Sequence, residues 1–172
     1  MSPEIHDNWT LPDGSAATLR PIRAGDIELE RAFVRNLSPE SRFNRFMSEM
    51  RELSPEQLYE FTHPDHAREA AYVVVRSSVA GEEEIGVGRF AVNPDGTSCE
   101  FAVTVADAWQ GKGVGGRLTR ALVRDAQERG LKRLEGYVLA TNRRMLEFVH
   151  RLGFKTELNA ADPGVYTVHR EI

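Results

Sequence analysis

The segment WQGKGVGGRL, residues 109–118, brings four glycines together within six positions. Two phosphate-binding patterns overlap in it: G-x-G-x-x-G begins at Gly111, and Q-x-x-G-x-G begins at Gln110. Glycine lets bare backbone approach a phosphate, and a helix that begins at such a loop offers free N–H groups and the positive end of its dipole. The segment therefore predicts a phosphate-binding turn, and its context decides which cofactor fits.

The surrounding sequence argues against a dinucleotide or a nucleoside triphosphate. A Rossmann domain needs its glycines directly after the first strand, and an acidic residue at the end of the next strand. Here several strands come first, and Glu135 stands at the beginning of the next strand. A Walker loop needs Ser or Thr after its lysine, but Gly113 follows Lys112. A tight turn without a ligand is the remaining alternative, although four glycines exceed what one turn requires.

The bulk composition predicts one domain over residues 1–172, because 172 residues with 41% hydrophobic content suffice for one sizeable core but not two of ordinary size. A net charge of -4 gives no indication of nucleic acid or an anionic membrane as a partner. The N-terminal sequence lacks the order of a signal peptide, and no apolar run approaches the roughly 20 residues that span a bilayer. We therefore expect a cytoplasmic protein.

The lone cysteine and one histidine pair are the residues whose types could support other chemistry. Cys99 is the only cysteine, which excludes an internal disulfide and a thiolate zinc site, and we expect it to be a packed strand residue rather than an acyl carrier. His63 and His66 have H-x-x-H spacing, but no third ligand is evident nearby and Pro64 indicates a loop. We expect no metal.

Periodicity and turn residues predict the elements that position the glycine loop. A hairpin around Pro12–Gly14 opens the chain, a helix capped by Asp26 follows, and Ser38–Pro39 and Ser54–Pro55 each begin a further short helix. AAYVVVRS, IGVGRFAV and SCEFAVTV then predict an antiparallel meander. Beyond the loop we expect a helix, the strand RLEGYVL, a helix that starts at Asn142, and the strand GVYTVHR.

These segments resemble the GCN5-related N-acetyltransferase (GNAT) family. Its coenzyme A loop has the pattern Q/R-x-x-G-x-G/A, which VTVADAWQGKGVGGRL matches, and NRRMLEFVHRLGF follows after one strand. The resemblance covers nearly the whole chain. It implies the α/β GNAT fold, in which helices flank a mixed, mostly antiparallel central sheet of about seven strands. Within the family, LRPIRAGD, LSPESRFNRF, LSPEQL and EFAVTV resemble the acetyltransferase domain of bacterial protein lysine acetyltransferases that modify acyl-CoA synthetases.

The resemblance implies acetyl-CoA as the co-substrate and assigns residues to it. The backbone of Val103 and Val105, at the end of a strand where the family has a bulge, would pair with the pantetheine arm. Asn142 would contact the cofactor from the neighbouring strand end. Strands that splay there would leave backbone groups for a peptide-like arm to satisfy. The loop residues expected to bind the cofactor, mainly through N–H groups on the pyrophosphate, are Gln110, Gly111, Lys112, Gly113, Val114, Gly115 and Gly116.

Acyl transfer to an amine needs a proton acceptor, since a lysine-like amine has a pKa near 10.4. Glu100 lies on the strand that runs into the cofactor site, on the same face as Ala102, and the resemblance makes it the expected general base. Many family members protonate the leaving thiolate with a tyrosine seven residues after the asparagine. That position is Val149 here, and His150 points about 100° away on a helix, so water is left for this role.

We expect direct transfer of an acetyl group to a primary amine, with a protein lysine as the leading acceptor. A small amine such as a polyamine, amino acid or aminoglycoside is the alternative, and an acyl-CoA-sensing module without turnover is another. A homodimer is left open. Arg42 and Arg45 flank two phenylalanines in an amphipathic helix. They form either a solvated face over core aromatics or a surface that grips an acidic protein substrate.

Overall fold

Two short strands open the part of the chain that the computed structural model describes, residues 4–172. β1 (Asp7–Thr10) and β2 (Ala16–Pro21) pair antiparallel. The turn between them needs Gly14, whose φ of 87° lies in the left-handed region that favours glycine. The predicted hairpin is confirmed.

Three short helices follow the hairpin, and two of them begin where the Ser-Pro pairs predict. Ser38 Oγ accepts a hydrogen bond from the Ser41 N–H at 3.1 Å, and Ser54 Oγ accepts one from the Gln57 N–H at 3.1 Å. Each serine satisfies an N–H group that the first helical turn leaves free, and proline follows at the first helical position. The helices are α1 (Ile27–Asn36), α2 (Pro39–Phe46) and α3 (Pro55–Thr62).

Asp26 precedes α1, but its side chain does not cap the helix. The carboxylate instead accepts two hydrogen bonds of 2.7 Å from the buried Arg20 guanidinium and one of 2.9 Å from the Arg23 N–H. The prediction of a side-chain cap is therefore wrong. A charged, bidentate partner brought in by tertiary structure binds the carboxylate more strongly than a helix N–H does.

The predicted meander is confirmed by β3 (Glu69–Ser78), β4 (Gly81–Val92) and β5 (Ser98–Val105), which pair antiparallel. The bulge expected near Val103 and Val105 lies elsewhere, because β5 pairs with β4 in unbroken register along its length. The register shifts one strand earlier, where Ile85 is the extra residue. The Ile85 side chain is buried, and its carbonyl accepts the Ala106 N–H at 2.8 Å. The bulge therefore lies in β4.

Beyond the glycine loop, the chain adds two helices and three strands. The described residues form one sheet of eight strands in the order β1-β2-β3-β4-β5-β6-β8-β7, with β5 and β6 parallel. The expected GNAT fold is confirmed, with one strand more than the seven expected. The extra strand, β7, lies at the edge and is exposed throughout, so it carries no apolar alternation. These elements are α4 (Val114–Glu128), β6 (Arg133–Leu139), α5 (Arg143–Arg151), β7 (Lys155–Leu158) and β8 (Val165–Glu171).

Helices cover both faces of the sheet. α1 and α3 pack on one face over Val73, Val75 and Val87, and α4 packs on the other. Two strand glycines let α4 approach closely: a Cβ on Gly86 would lie 2.8 Å from Val114 Cγ1, and one on Gly88 would lie 3.3 Å from Leu118 Cβ. This close packing fixes the first turn of α4, and with it the glycine loop. Among residues 4–172, no helix has both the length and the apolar character needed to cross a membrane.

Candidate active site

β5 and β6 separate and open a cleft in the middle of the sheet. They pair only where residues 98–100 face residues 133–135, and residues 101–105 then diverge from residues 136–139. The cleft has a volume of about 510 Å³. Its walls are the two diverging strands, the glycine loop, one face of α5 and one face of α2. This is the splay expected from the sequence, and it leaves strand backbone facing a space wide enough for an extended ligand.

The glycine loop ends at the N-terminus of α4. Gly111 and Gly113 have φ values of 74° and 87°, which favour glycine, and Gly113 precedes the first helical residue. The Arg117 N–H makes the first helical hydrogen bond, to the Gly113 carbonyl at 3.2 Å. The three N–H groups before it therefore stand at the positive end of a 15-residue helix, beside the cleft. This arrangement suits an anion such as a pyrophosphate.

The structure brings most of the expected cofactor residues to the cleft and turns two side chains away. Lys112 donates a hydrogen bond of 2.7 Å to the Ala108 carbonyl and lies over the Trp109 ring, while Val114 is buried in the core. Neither side chain lines the cleft. The expected residues that line it are Val103, Val105, Gln110, Gly111, Gly113, Gly115, Gly116 and Asn142.

Gln110 connects three elements through its side chain. Its amide nitrogen donates to the Val105 carbonyl at 3.1 Å, and its amide oxygen accepts from Arg144 Nη1 at 2.6 Å. Arg144 and Phe148 were missed by the sequence analysis, although both line the cleft. Their i, i+4 spacing on the helix after Asn142 is the signal that places them on one face.

Glu100 lies at the mouth of the cleft and is exposed. It occupies the last paired position of β5, opposite Glu135 of β6, and the strands separate immediately after it. Ala102 and Thr104, on the same face of β5, line the cleft, whereas Glu100 does not. Glu100 thus stands just before the opening, on the face of β5 whose residues Ala102 and Thr104 line the cleft together with α2.

The α5 side of the cleft carries an apolar residue where many family members have tyrosine. Val149 lines the cleft and is 1% exposed. Asn142 Oδ1 accepts the Met145 N–H at 3.2 Å and so caps α5. Tyr137 of β6 also lines the cleft and is 46% exposed.

The α2 wall of the cleft is joined to the residues just before the glycine loop by Asp107. Its carboxylate accepts hydrogen bonds from the Ser38 N–H and Oγ at 2.9 Å and from Ser41 Oγ at 2.8 Å. Partial burial opposes ionisation of Asp107, but these hydrogen bonds outweigh it and hold its pKa below the usual range. The α2 residues that line the cleft are Glu40, Ser41, Asn44 and Arg45.

Cys99 is packed inside the fold, and His63 contacts Tyr59 of α3. Cys99 is buried, and burial together with the neighbouring Glu135 raises the pKa of its thiol to about 12, which disfavours a nucleophilic thiolate. His63 Nδ1 lies 2.8 Å from the Tyr59 carbonyl, and its ring stacks on Tyr59. Within residues 4–172, no group of three or more His, Cys, Asp or Glu residues is arranged to hold a metal.

Comparison with known proteins places the chain among acetyltransferases. The family model described as "Acetyltransferase (GNAT) domain" matches residues 17–155. Acetyltransferase PA5475 of Pseudomonas aeruginosa is 34% identical over 166 residues, which cover 95% of this chain and 89% of that protein. Acetyltransferase Pat of Mycolicibacterium smegmatis is 33% identical over 138 residues, which cover 78% of this chain and 40% of that protein.

Solved structures with a similar fold are likewise described as a GNAT domain or an acyltransferase. The GNAT domain of S. lividans PAT superposes with a TM-score of 0.85 at 27% identity, and the match covers 97% of both chains. A cAMP-binding acyltransferase from Mycobacterium smegmatis superposes with a TM-score of 0.63 at 25% identity, and the match covers 98% of this chain and 48% of that one.

Proposed function

Because the chain belongs to the GNAT acetyltransferase family, whose co-substrate is acetyl-CoA, we propose that it transfers the acetyl group to a lysine side chain of a protein. The observation that carries this proposal is the cleft in which diverging strands meet the glycine loop and the start of α4. The protein acceptor is supported by the four segments that resemble bacterial protein lysine acetyltransferases.

The proposed cofactor site uses backbone more than side chains. Residues 101–105 and 136–139 leave strand backbone facing the cleft, which suits the amides of a pantetheine arm. The first turn of α4 suits the pyrophosphate. Gly115 keeps this turn open, since a Cβ on it would lie 3.1 Å from the Phe148 ring, whereas a Cβ on Gly116 would make only an ordinary contact of 3.4 Å with the flexible end of Arg120.

The proposed reaction is a direct attack by the acceptor amine on the thioester carbonyl. The C–N bond forms, the C–S bond breaks, and the amine proton passes to Glu100 directly or through water. Exposure of Glu100 lets it return that proton to solvent. Water protonates the leaving thiolate, since Val149 offers no proton. Backbone N–H groups at the end of β5 polarise the carbonyl.

Mass spectrometry tests the proposal. A cell lysate and a panel of small amines are each incubated with acetyl-CoA and the unmodified protein, Glu100→Gln or the control Glu135→Gln. Acetyl-lysine on a few proteins with the unmodified enzyme and Glu135→Gln, but not Glu100→Gln, supports both the acceptor and the base. If only small amines are acetylated, the acceptor is a small metabolite and not a protein lysine. Acetyl-CoA binding without any product would favour a sensor.

Three further expectations stay predictions: a single domain over residues 1–172, a cytoplasmic location and the possibility of a homodimer. Analytical ultracentrifugation over a range of concentrations tests the third. A mass that stays at the 19.3 kDa of one chain would exclude a homodimer.

A further inference from the structure

Arg45 of α2 lines two adjoining spaces, the cleft and a small inner cavity of about 10 Å³ enclosed by α1, α2, α3 and the β4–β5 ladder. Its guanidinium carbon lies 4.8 Å from the centre of the Phe46 ring. Within residues 4–172, Arg45 has no hydrogen bond or ion pair. An arginine without a counter-ion in the wall of a cleft calls for an explanation.

The neighbouring residues Arg42 and Arg89 have hydrogen-bond or ion-pair partners within the fold. Arg42, on the same helix, donates to the carbonyls of Met50 at 3.0 Å and Arg35 at 2.9 Å. Arg89 lies 3.5 Å from a Glu30 carboxylate oxygen and donates to the Phe61 carbonyl at 3.1 Å. Although Arg89 Nη2 also lacks a hydrogen-bond partner, Arg45 alone among these three guanidinium groups makes neither a hydrogen bond nor an ion pair within residues 4–172.

The surroundings of Arg45 make its charge costly. Burial, and then the like charge of Arg89, lower the pKa of Arg45 to about 10, although Glu30 and Glu100 act in the opposite direction. A pKa of about 10 still leaves Arg45 protonated at neutral pH. The protein therefore holds an unpaired cation near the expected base, and an anion in the cleft would stabilise it.

Thr104 of β5 adds a second unused donor in the same wall. Thr104 is 7% exposed, its Oγ1 has no hydrogen-bond partner within residues 4–172, and it lines the same two spaces as Arg45. A buried hydroxyl without a partner is uncommon in folded proteins. A guanidinium and a hydroxyl on residues that line one space are the kinds of donor that a carboxylate binds.

We propose that Arg45 and Thr104 form a carboxylate-binding subsite, so that the preferred acceptor carries a carboxylate close to its reacting amine. The inference rests on the proposed function, because it places the acceptor in this cleft. Glu40 lines the same wall and Glu100 borders the mouth, and these acidic groups favour the amine end of such an acceptor. The carboxylate comes either from a residue near the target lysine in a protein or from the α-carboxylate of a free amino acid.

A competing role for Arg45 makes a different prediction. If Arg45 supports only the transfer step and does not bind the acceptor, its loss slows transfer to every acceptor equally. If Arg45 binds the acceptor, its loss affects acceptors that carry a carboxylate and spares those that do not.

Calorimetric titration of the full chain saturated with coenzyme A tests the subsite without requiring turnover. The probes are blocked peptides with one lysine and either Asp or Asn at each position from three before to three after it, together with lysine and lysinamide. We expect the unmodified protein to bind the carboxylate member of at least one pair about tenfold more tightly, as one charge-assisted pair allows. The pairs that show the preference identify the source of the carboxylate.

Variants decide whether the preference comes from these two residues. Arg45→Gln and Thr104→Val should abolish or weaken it, Arg45→Lys and Thr104→Ser should retain part of it, and the exposed control Arg35→Gln should leave it unchanged. Equal binding of both members of every pair, no binding by any probe, or a preference that survives Arg45→Gln would overturn the proposal. A preference without any acetyl transfer would retain the subsite and refute the proposed function.

Discussion

Replacing Gly86 by alanine tests whether the close packing of α4 on the sheet positions the glycine loop. The new Cβ would lie 2.8 Å from Val114 Cγ1 and 3.0 Å from Leu118 Cδ1, both closer than a methyl group tolerates. Val114 and Leu118 are 1% and 0% exposed, so neither can rotate into solvent. We expect α4 to shift away from β4, at a cost of about 1–3 kcal/mol in the free energy of unfolding.

Because Val114 is the first residue of α4, the same shift displaces the N–H groups proposed to hold the pyrophosphate. Urea denaturation of Gly86→Ala should therefore show lower stability, and the KM for acetyl-CoA should rise together with it. Gly88→Ala provides a graded control, since its closest approach to Leu118 and Leu122 is 3.3 Å and a smaller movement accommodates it.

A double variant isolates the contact itself. Val114→Ala removes the Cγ1 atom that the new methyl meets, so Gly86→Ala should cost less in that background than alone, by about 0.5 kcal/mol or more. Additive losses in the double variant, or a Gly86→Ala protein with unchanged stability and KM, would refute the argument that this contact sets the position of α4.

Three more expectations concern individual carboxyl groups. Burial, and then Glu30 beside it, raise the pKa of Glu84 well above its usual range. The folded state therefore retains a proton that the unfolded state loses, so the contribution of Glu84 to stability falls as pH rises above its ordinary pKa of about 4.5. Glu84→Gln should be more stable than the unmodified protein at pH 8, with the difference vanishing at pH 4 in urea titrations. Asp26→Ala leaves the buried Arg20 without its carboxylate and should cost about 3–5 kcal/mol by the same assay; a loss under 1 kcal/mol would contradict a buried ion pair. Asp107→Asn removes the charge that anchors α2 and should raise the KM for the acceptor severalfold; an unchanged KM would show that α2 holds its place without it.

Elements fixed by local signals were predictable from the sequence. Ser38 and Ser54 each cap a helix through a hydrogen bond within their own first turn, and Gly14 supplies the one backbone conformation its turn requires. Such signals need no knowledge of distant residues. Features that depend on tertiary partners were missed: Asp26 binds Arg20 rather than the helix, and the bulge at Ile85 depends on how two strands pair.

The candidate site likewise has features that the sequence predicts and features that depend on tertiary contacts. Glycine spacing and the family pattern located the loop and the strand backbone that line the cleft. The sequence could not show that the Gln110 side chain is used to join β5 to α5, nor that Arg42 has carbonyl partners whereas Arg45 has none. Packing determines whether a side chain already has hydrogen-bond partners within the protein. A side chain without such partners is a candidate for binding a ligand, whereas one with partners has a structural role.

The divergence of β5 and β6 also gives the protein two strand edges inside its own sheet. Unpaired edges invite pairing with other chains, and soluble proteins usually cover or charge them. Here a bound cofactor would serve as the cover, because its amide-bearing arm takes the place of a strand. The chain without acetyl-CoA is then the form most open to strand addition and aggregation. Saturation at about a hundred times Kd would add about 2.7 kcal/mol to the free energy of unfolding. The supply of its own co-substrate would thus help to keep this protein monodisperse.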